Sequence, residues 1–193
     1  MAKRGETKET ILTAAENLFF RNGFEKTSVK MILGEANVVT GSFYHFFPSK
    51  EALFEAVAER FLERYTGRMK EILSDDTAGI EVILDRILNE FRNTARQYFR
   101  VFSGDSLHWT VRLALHEKTL LSMMESLSEL LGRKIKRGEI RPCINADEKT
   151  LAAILIKGSE AIIHQGSIAA PSRYQSEELR SSLMEFWKRI IDF

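Results

Sequence analysis

The segment Gly41-Ser42-Phe43-Tyr44-His45 places a hydroxyl, a phenol and an imidazole beside a glycine. Such polar groups bind phosphate oxygens and base edges, and a glycine lets the backbone approach another surface closely. On a helix, Phe43 would share an inward face with Phe47 one turn later, and the polar side chains would cover the rest of the circumference. The pattern leaves two interpretations open: a helix that contacts nucleic acid, or an ordinary amphipathic helix.

Other residue types that could carry chemistry form weaker patterns. His108, Arg112 and His116 recur every four residues on one helical stripe, but no carboxylate or cysteine stands at ligand spacing, so we expect a solvated or pocket-rim stripe without a metal. The single cysteine, Cys143, has no partner thiol and is expected to be incidental. Paired acids or a nucleophile with its base are not found at usable spacing, so we expect neither an enzyme nor a cofactor.

The elements around the polar segment predict a helix-turn-helix. A first helix is expected from about Lys8 to Asn22, ended by Gly23. Ser28 can cap a short second helix, and Asn37 can adopt the left-handed turn after it. A third helix would begin near Val39 or Thr40 and must end before Pro48, after which Ser49 caps a fourth helix with Leu53, Val57 and Phe61 on its buried face.

The rest of the chain repeats a helical period. We predict helices over residues 80–102, over 105–138 with a break near His116, after the capping residues and acids at 145–148, and over 175–191. Gly138 and Pro142 should stop the second of these helices. No strand-like alternation competes, so the predicted fold class is all-α.

Composition sets broader bounds on the molecule. The 193 residues, 44% hydrophobic and 28% charged, are typical of a folded globular protein with a core of its own. A net charge of +1 does not by itself indicate a nucleic-acid binder. The first residues have no apolar signal region, and no apolar run approaches the roughly 18 residues that span a bilayer, so we expect a cytoplasmic protein with no membrane partner.

Residues 28–54, SVKMILGEANVVTGSFYHFFPSKEALF, resemble the DNA-binding segment of TetR/AcrR-type transcriptional repressors. The recurring core of that family is Gly-[Ser/Thr]-x-Tyr-x-x-Phe-x-x-Lys-x-x-Leu, which is matched here by Gly41, Ser42, Tyr44, Phe47, Lys50 and Leu53. GEIRP followed by an acid-capped apolar helix and one final helix is similar to the family's C-terminal dimerisation region. The resemblance covers the whole chain, although residues 65–137 match only in helical character.

The resemblance implies a role for each matched residue. Ser28 and Lys30 would meet phosphate and a base at the start of the second helix, and Thr40, Gly41 and Ser42 would lie nearest the major-groove bases. Tyr44, His45 and Lys50 would contact phosphates, the last of them in the first turn of a helix, where anions bind. The chain departs from the common family pattern at Leu33, Asn37, Val39, Phe46 and Pro48.

The resemblance also implies two domains: a three-helix DNA-binding head over residues 1–48, and an effector-binding and dimerisation domain over 49–193. An apolar or aromatic effector would be lined by bulky, adaptable side chains, namely Phe91, Phe99, Trp109, Met123, Met124 and His164, although residues of these types at helical spacing are more often plain core. The dimer face would use small and apolar residues of the last two helices, namely Leu155, Gly158, Ala161, Ile162, Leu179, Leu183 and Phe186.

The expected function is that of a ligand-responsive regulator, a repressor that binds palindromic double-stranded operator DNA as a homodimer and is released by a small effector. A helical ligand-binding or adaptor bundle without DNA activity is the alternative, because the net charge is near zero.

Overall fold

The computed structural model describes residues 4–102, 107–164 and 177–193, and within them the chain is almost entirely helical. The helices are α1 (Arg4–Asn22), α2 (Val29–Ala36), α3 (Thr40–Phe46), α4 (Lys50–Ser74), α5 (Ile80–Phe102), α6 (Trp109–Lys136), α7 (Glu148–Ile163) and α8 (Glu177–Ile190). The predicted all-α fold class is confirmed. One short antiparallel pair, β1 (Arg141–Pro142) with β2 (Ile191–Asp192), was not predicted from the sequence.

Local signals account for four of the helix ends. Ser28 Oγ accepts from Met31 N at 3.2 Å to cap α2, and Ser49 Oγ accepts from Ala52 N at 3.1 Å to cap α4. Gly23 and Gly138 follow α1 and α6 with φ of 82° and 74°, the left-handed conformation that glycine adopts without steric cost. The predicted caps and stops at these four positions are therefore confirmed.

The predicted break near His116 is wrong. α6 runs without interruption from Trp109 to Lys136, a segment that contains no proline and whose one glycine, Gly132, lies near its end. A helix of this length needs a residue that removes a donor or frees the backbone before it breaks, and an irregular apolar pattern alone does not supply one.

The described residues divide into two compact units. The first contains the chain up to Glu63 together with Gln97–Leu115. Its centre is a set of phenylalanine rings, with Phe54 4.6 Å from Phe24, 5.0 Å from Phe19 and 5.1 Å from Phe102 between ring centroids. Such aromatic contacts bury large apolar areas in fixed orientations, which gives the short helices α2 and α3 a firm support. The predicted domain boundary after residue 48 stays a prediction.

The second unit contains Arg64–Arg96 and His116–Phe193. Its α7 is capped by Asp147, whose carboxylate accepts from Thr150 N at 2.7 Å. The helix packs against α8, where the buried Trp187 donates its indole N–H to Ser159 Oγ at 3.0 Å. The loop between α4 and α5 is held by the buried Lys134 of α6, which donates to the carbonyl of Asp76 at 3.2 Å and to Glu139 at 2.7 Å. These contacts satisfy polar groups that burial would otherwise leave costly.

Candidate nucleic-acid interface and effector region

The turn between α2 and α3 has the geometry of a tight helix-turn-helix connection. Asn37 ends α2 with φ 51° and ψ 48°, so an asparagine takes the left-handed position, which its short polar side chain tolerates. Leu33 is partly buried and packs against the core of the first unit, and its carbonyl accepts from Val38 N at 3.1 Å. The departures at 33 and 37 are therefore accommodated locally.

The short helix α3 has one buried side and one exposed side. Phe43 is buried within α3 and Phe47 is buried at its end, and both belong to the core of the first unit. Thr40, Gly41, Tyr44 and His45 are exposed and Ser42 is half-buried, with Tyr44 56% exposed. The division of this segment into a core side and a polar side, predicted from helical spacing, is thus confirmed.

Phe46 belongs to the supporting side. It is partly buried against the core of the first unit, and its ring meets that of His45 edge-on at 4.8 Å between centroids. Helical spacing alone places Phe46 among the polar positions, and only the contacts show that its ring packs against the core. The contact with His45 also restricts the imidazole that lies beside it.

Ser28 and Lys30 are exposed at the start of α2. The Ser28 hydroxyl already accepts from Met31 N, so it has its own hydrogen atom left to donate to a phosphate oxygen or base edge. These residues, with those of α3, all belong to the first unit. Their roles toward DNA stay predictions.

Lys50 has partners within the chain that the sequence did not reveal. Its ammonium donates to the carbonyls of Phe24 and Thr27 at 3.1 and 3.2 Å, and it lies 4.0 Å from the centroid of the Phe24 ring. Thr27 is buried and donates its hydroxyl to the Gly23 carbonyl at 2.8 Å. Lys50 therefore ties the start of α4 to the loop that leads into α2, and one of its three N–H donors remains for a phosphate.

Val39 is a further residue of this surface that the sequence analysis left out of the predicted contacts. The residue is 73% exposed, and as the N-cap of α3 its side chain makes no capping hydrogen bond. An exposed valine between two helices predicted to contact DNA is a candidate contact residue, and its exposure could not be predicted from sequence spacing.

The residues predicted to line an effector pocket do not gather within one unit. Phe91, Met123, Met124 and His164 lie in the second unit, with Met123 buried and the other three half-buried. Trp109 lies in the first unit and is 67% exposed. The side chain of Phe99 lies outside the described residues.

His164 has the most unusual environment of this set. Its Nδ1 is buried and has no hydrogen-bond partner among the described residues. Burial lowers the pKa of His164, the nearby Glu160 carboxylate opposes that change and His116 adds to it. His116 Nε2 lies 2.5 Å from Glu160 Oε1, so α6 and α7 are joined beside this imidazole. A neutral imidazole with a free ring nitrogen can accept or donate one hydrogen bond to a ligand.

The dimer face stays a prediction, and several of its residues have neighbours within this chain. Leu155, Leu179 and Leu183 are buried within this chain, so they stabilise its own fold and offer little area to a second copy. Gly158 lies against the Phe186 ring of the same chain, because an added Cβ would come 2.2 Å from Phe186 Cζ. Ala161 is exposed and Ile162 is half-buried, so these two positions remain available to a partner.

Two other features are absent from the described parts of the chain, a metal-binding cluster and a membrane-spanning helix. No group of three or more His, Cys, Asp or Glu residues there could hold a metal ion. No helix in residues 4–102, 107–164 and 177–193 is long and apolar enough to cross a membrane.

Comparison with known proteins places the helix-turn-helix in a defined group. The sequence model described as "Bacterial regulatory proteins, tetR family" matches residues 11–57, which contain most of α1, all of α2 and α3, and the start of α4. The HTH-type transcriptional repressor NemR of Escherichia coli is 36% identical over 93 residues, which cover 48% of this chain and 45% of NemR. The chain thus spans about half the length of the curated relatives that it matches at this level.

Longer matches extend beyond the head. The uncharacterised HTH-type transcriptional regulator YhgD of Bacillus subtilis is 28% identical over 162 residues, covering 82% of this chain and 83% of YhgD. Among solved structures, reduced NemR of E. coli covers 96% of this chain and 97% of its own at 25% identity and a TM-score of 0.58. A transcriptional regulator from Cytophaga hutchinsonii shares the fold over 94% of this chain and 97% of its own, with a TM-score of 0.73 at 21% identity.

Proposed function

We propose that this chain, whose residues 11–57 match the model of the tetR family of bacterial regulatory proteins, is a ligand-responsive transcriptional repressor that binds palindromic operator DNA as a homodimer. The observation that carries the proposal is the α2–turn–α3 segment, which exposes Lys30, Thr40, Tyr44 and His45 while Phe43 anchors α3 in the core. Recognition helices of this kind enter the major groove, and those of a dimer lie about 34 Å apart, one turn of DNA.

The proposed mechanism is derepression. A small apolar or aromatic effector would bind in the second unit and favour a dimer state with a different spacing of the two heads. Release follows only from the difference in effector affinity between the DNA-bound and free states. His164, whose Nδ1 has no hydrogen-bond partner among the described residues, is the polar group we expect to orient such an effector.

The first experiment measures DNA binding by fluorescence anisotropy, with labelled duplexes from the region upstream of the protein's own gene. We expect the logarithm of the affinity to fall linearly with the logarithm of salt concentration, with a slope of about −0.9 for each phosphate contacted. Tyr44→Ala should weaken binding, whereas Lys70→Ala, which removes an exposed charge of α4 outside the helix-turn-helix, should not. If the affinity for DNA does not change with salt concentration, or is the same in the Tyr44→Ala variant, the result would instead favour the alternative of a helical ligand-binding bundle without DNA activity.

Lys50→Ala distinguishes two ways in which this lysine can support DNA binding. A direct phosphate contact predicts that the variant binds all sequences more weakly and that its salt slope decreases by about 1. A purely positioning role, through the carbonyls of Phe24 and Thr27, predicts weaker binding with the slope unchanged and a lower melting temperature. Replacement of Thr40 or Ser42 should change which sequences are preferred.

Effector and dimer are tested separately. Melting temperature is measured against metabolite and drug libraries, because a ligand that binds the native state raises it. A compound that raises the melting temperature is expected to weaken DNA binding, and His164→Phe should abolish its effect while His108→Phe, in the first unit, should not. Light scattering at micromolar concentration is expected to give twice the chain mass, and a monomer would contradict the proposed dimer.

A further inference from the structure

Val39 exposes a larger fraction of its surface than any other large apolar side chain in the described parts of the molecule. The residue is 73% exposed, although it lies between α2 and α3, where neighbouring residues such as Ile32 and Phe43 are fully buried. It therefore contributes little to the core. An apolar group held in water at this position gains free energy only when something outside the chain covers it.

The side chain of Val39 does not cap the helix it precedes, although the Val39 carbonyl accepts from Ser42 N at 3.0 Å. It occupies the N-cap of α3 with φ −82° and ψ 155°, and no side-chain hydrogen bond is made there. Three other helices of the chain are capped by Ser28, Ser49 and Asp147, each of which accepts from a backbone N–H. A serine or threonine at position 39 would supply the same bond, so valine leaves a stabilising contact unmade.

The surface around Val39 indicates what covers it. Thr40 follows directly and is exposed, and Tyr44 is exposed one turn later, so Val39 continues the surface proposed to meet DNA. The major groove presents one apolar group, the C5-methyl of thymine, which proteins recognise by contact with small apolar side chains. Valine suits this contact because its branched side chain has few rotamers to lose.

We propose that Val39 is a specificity-determining residue that contacts a thymine C5-methyl group in each operator half-site. The inference rests on the proposed DNA-binding function and adds to it the base that this position selects. The proposed contact uses only the isopropyl group of Val39 and does not depend on phosphate binding at the N-terminus of α3.

The test uses duplexes selected by the protein from a random library and synthesised with deoxyuridine in place of each thymidine in turn. Deoxyuridine keeps the base pair and lacks only the C5-methyl. We expect one position in each half-site at which the wild type binds about fourfold more weakly, the effect of losing one buried methyl-sized group. Val39→Ala should bind the thymidine duplex more weakly and show no further loss with deoxyuridine at that position.

Two further variants sharpen the result. Met31→Ala removes the other exposed aliphatic side chain of this region, 41% exposed on α2, and is expected to keep the deoxyuridine effect at the position assigned to Val39. Val39→Thr should raise the melting temperature by about 2 °C, because it supplies the missing cap, and yet weaken binding to the thymidine duplex. Because stability should rise while DNA affinity falls, this variant distinguishes a role of Val39 in DNA binding from a role in folding.

The outcomes are distinct. If the wild type and Val39→Ala lose the same affinity with deoxyuridine at every position, the thymine contact is wrong while DNA binding stands. If no duplex is retained from the library at low salt, both the proposed function and the inference built on it are wrong.

Discussion

Gly158 provides the sharpest test of the structure, because its side-chain position is already filled. It lies within α7, and an added Cβ would come 2.2 Å from Cζ and 2.7 Å from Cε1 of Phe186 on α8. Carbon atoms that are not bonded normally stay about 3.5–4.0 Å apart. Gly158→Ala therefore forces the Phe186 ring to move or the two helices to separate.

Two effects of opposite sign decide the size of the change. Alanine is favoured over glycine inside a helix by about 1 kcal/mol. Overpacking a fitted contact costs about 1–3 kcal/mol. We therefore expect Gly158→Ala to change the free energy of unfolding by between about 0 and −2 kcal/mol in the wild-type background. In a Phe186→Ala background the obstacle is gone, and the same substitution should stabilise the protein by about 1 kcal/mol.

The assay is urea unfolding, followed by circular dichroism at one protein concentration, of the wild type, both single variants and the double variant. Gly67→Ala is the matched control, because Gly67 also lies within a helix, α4, and an added Cβ there meets nothing within 4 Å. It should stabilise by about 1 kcal/mol in either background. Equal stabilisation by Gly158→Ala and Gly67→Ala in the wild-type background would refute the close approach of α7 and α8.

Three further substitutions have defined outcomes. Ser28→Ala should lower the free energy of unfolding by about 1 kcal/mol and Ser28→Gly by only a few tenths, and equal losses would contradict the cap of α2. Lys134→Met keeps the buried aliphatic stem but removes the ammonium that donates to Asp76 and Glu139, so it should lower the free energy of unfolding in urea by about 1–3 kcal/mol. An unchanged free energy of unfolding would contradict these buried contacts. The Arg180 guanidinium donates to Asp85 at 2.6 and 2.8 Å, and this pairing lowers the pKa of the Asp85 carboxyl. The ion pair therefore stabilises the fold above the unfolded pKa of about 3.9, and its contribution to the free energy of unfolding is lost as pH falls through the native pKa. Because this pair is partly exposed, Asp85→Asn should be less stable than the wild type at pH 7 by no more than about 1 kcal/mol. The difference in the free energy of unfolding should be smaller at pH 3, and a difference that grows toward pH 3 would contradict the pairing.

Helix boundaries could be predicted wherever the signal lies within one turn. Ser28, Ser49, Gly23 and Gly138 act on backbone groups only a few residues away, so their roles were readable without knowledge of the fold. The break expected at His116 was wrong for the related reason that no local residue there interrupts hydrogen bonding.

Other features depended on residues far apart in the sequence. Lys50 was expected to face phosphate, but its partners Phe24 and Thr27 precede it by more than twenty positions, and only the fold brings their carbonyls to its ammonium. Gly158 was assigned to a dimer face, and its neighbour in the structure is Phe186 of the same chain. A glycine within a helix indicates that another part of a protein packs closely against that position, but the sequence does not show whether this part belongs to the same chain or to a second copy.

The amino-acid sequence by itself determined that the chain is helical, where its short helices begin and end, and which side of α3 is polar, because caps, glycines and helical spacing act over one or two turns. Only the tertiary structure decided that Phe46 supports α3, that Lys50 holds the loop before α2, and that Val39 is left uncovered. Exposure and long-range hydrogen bonds depend on which surfaces meet, and that is settled by packing rather than by neighbours in the chain.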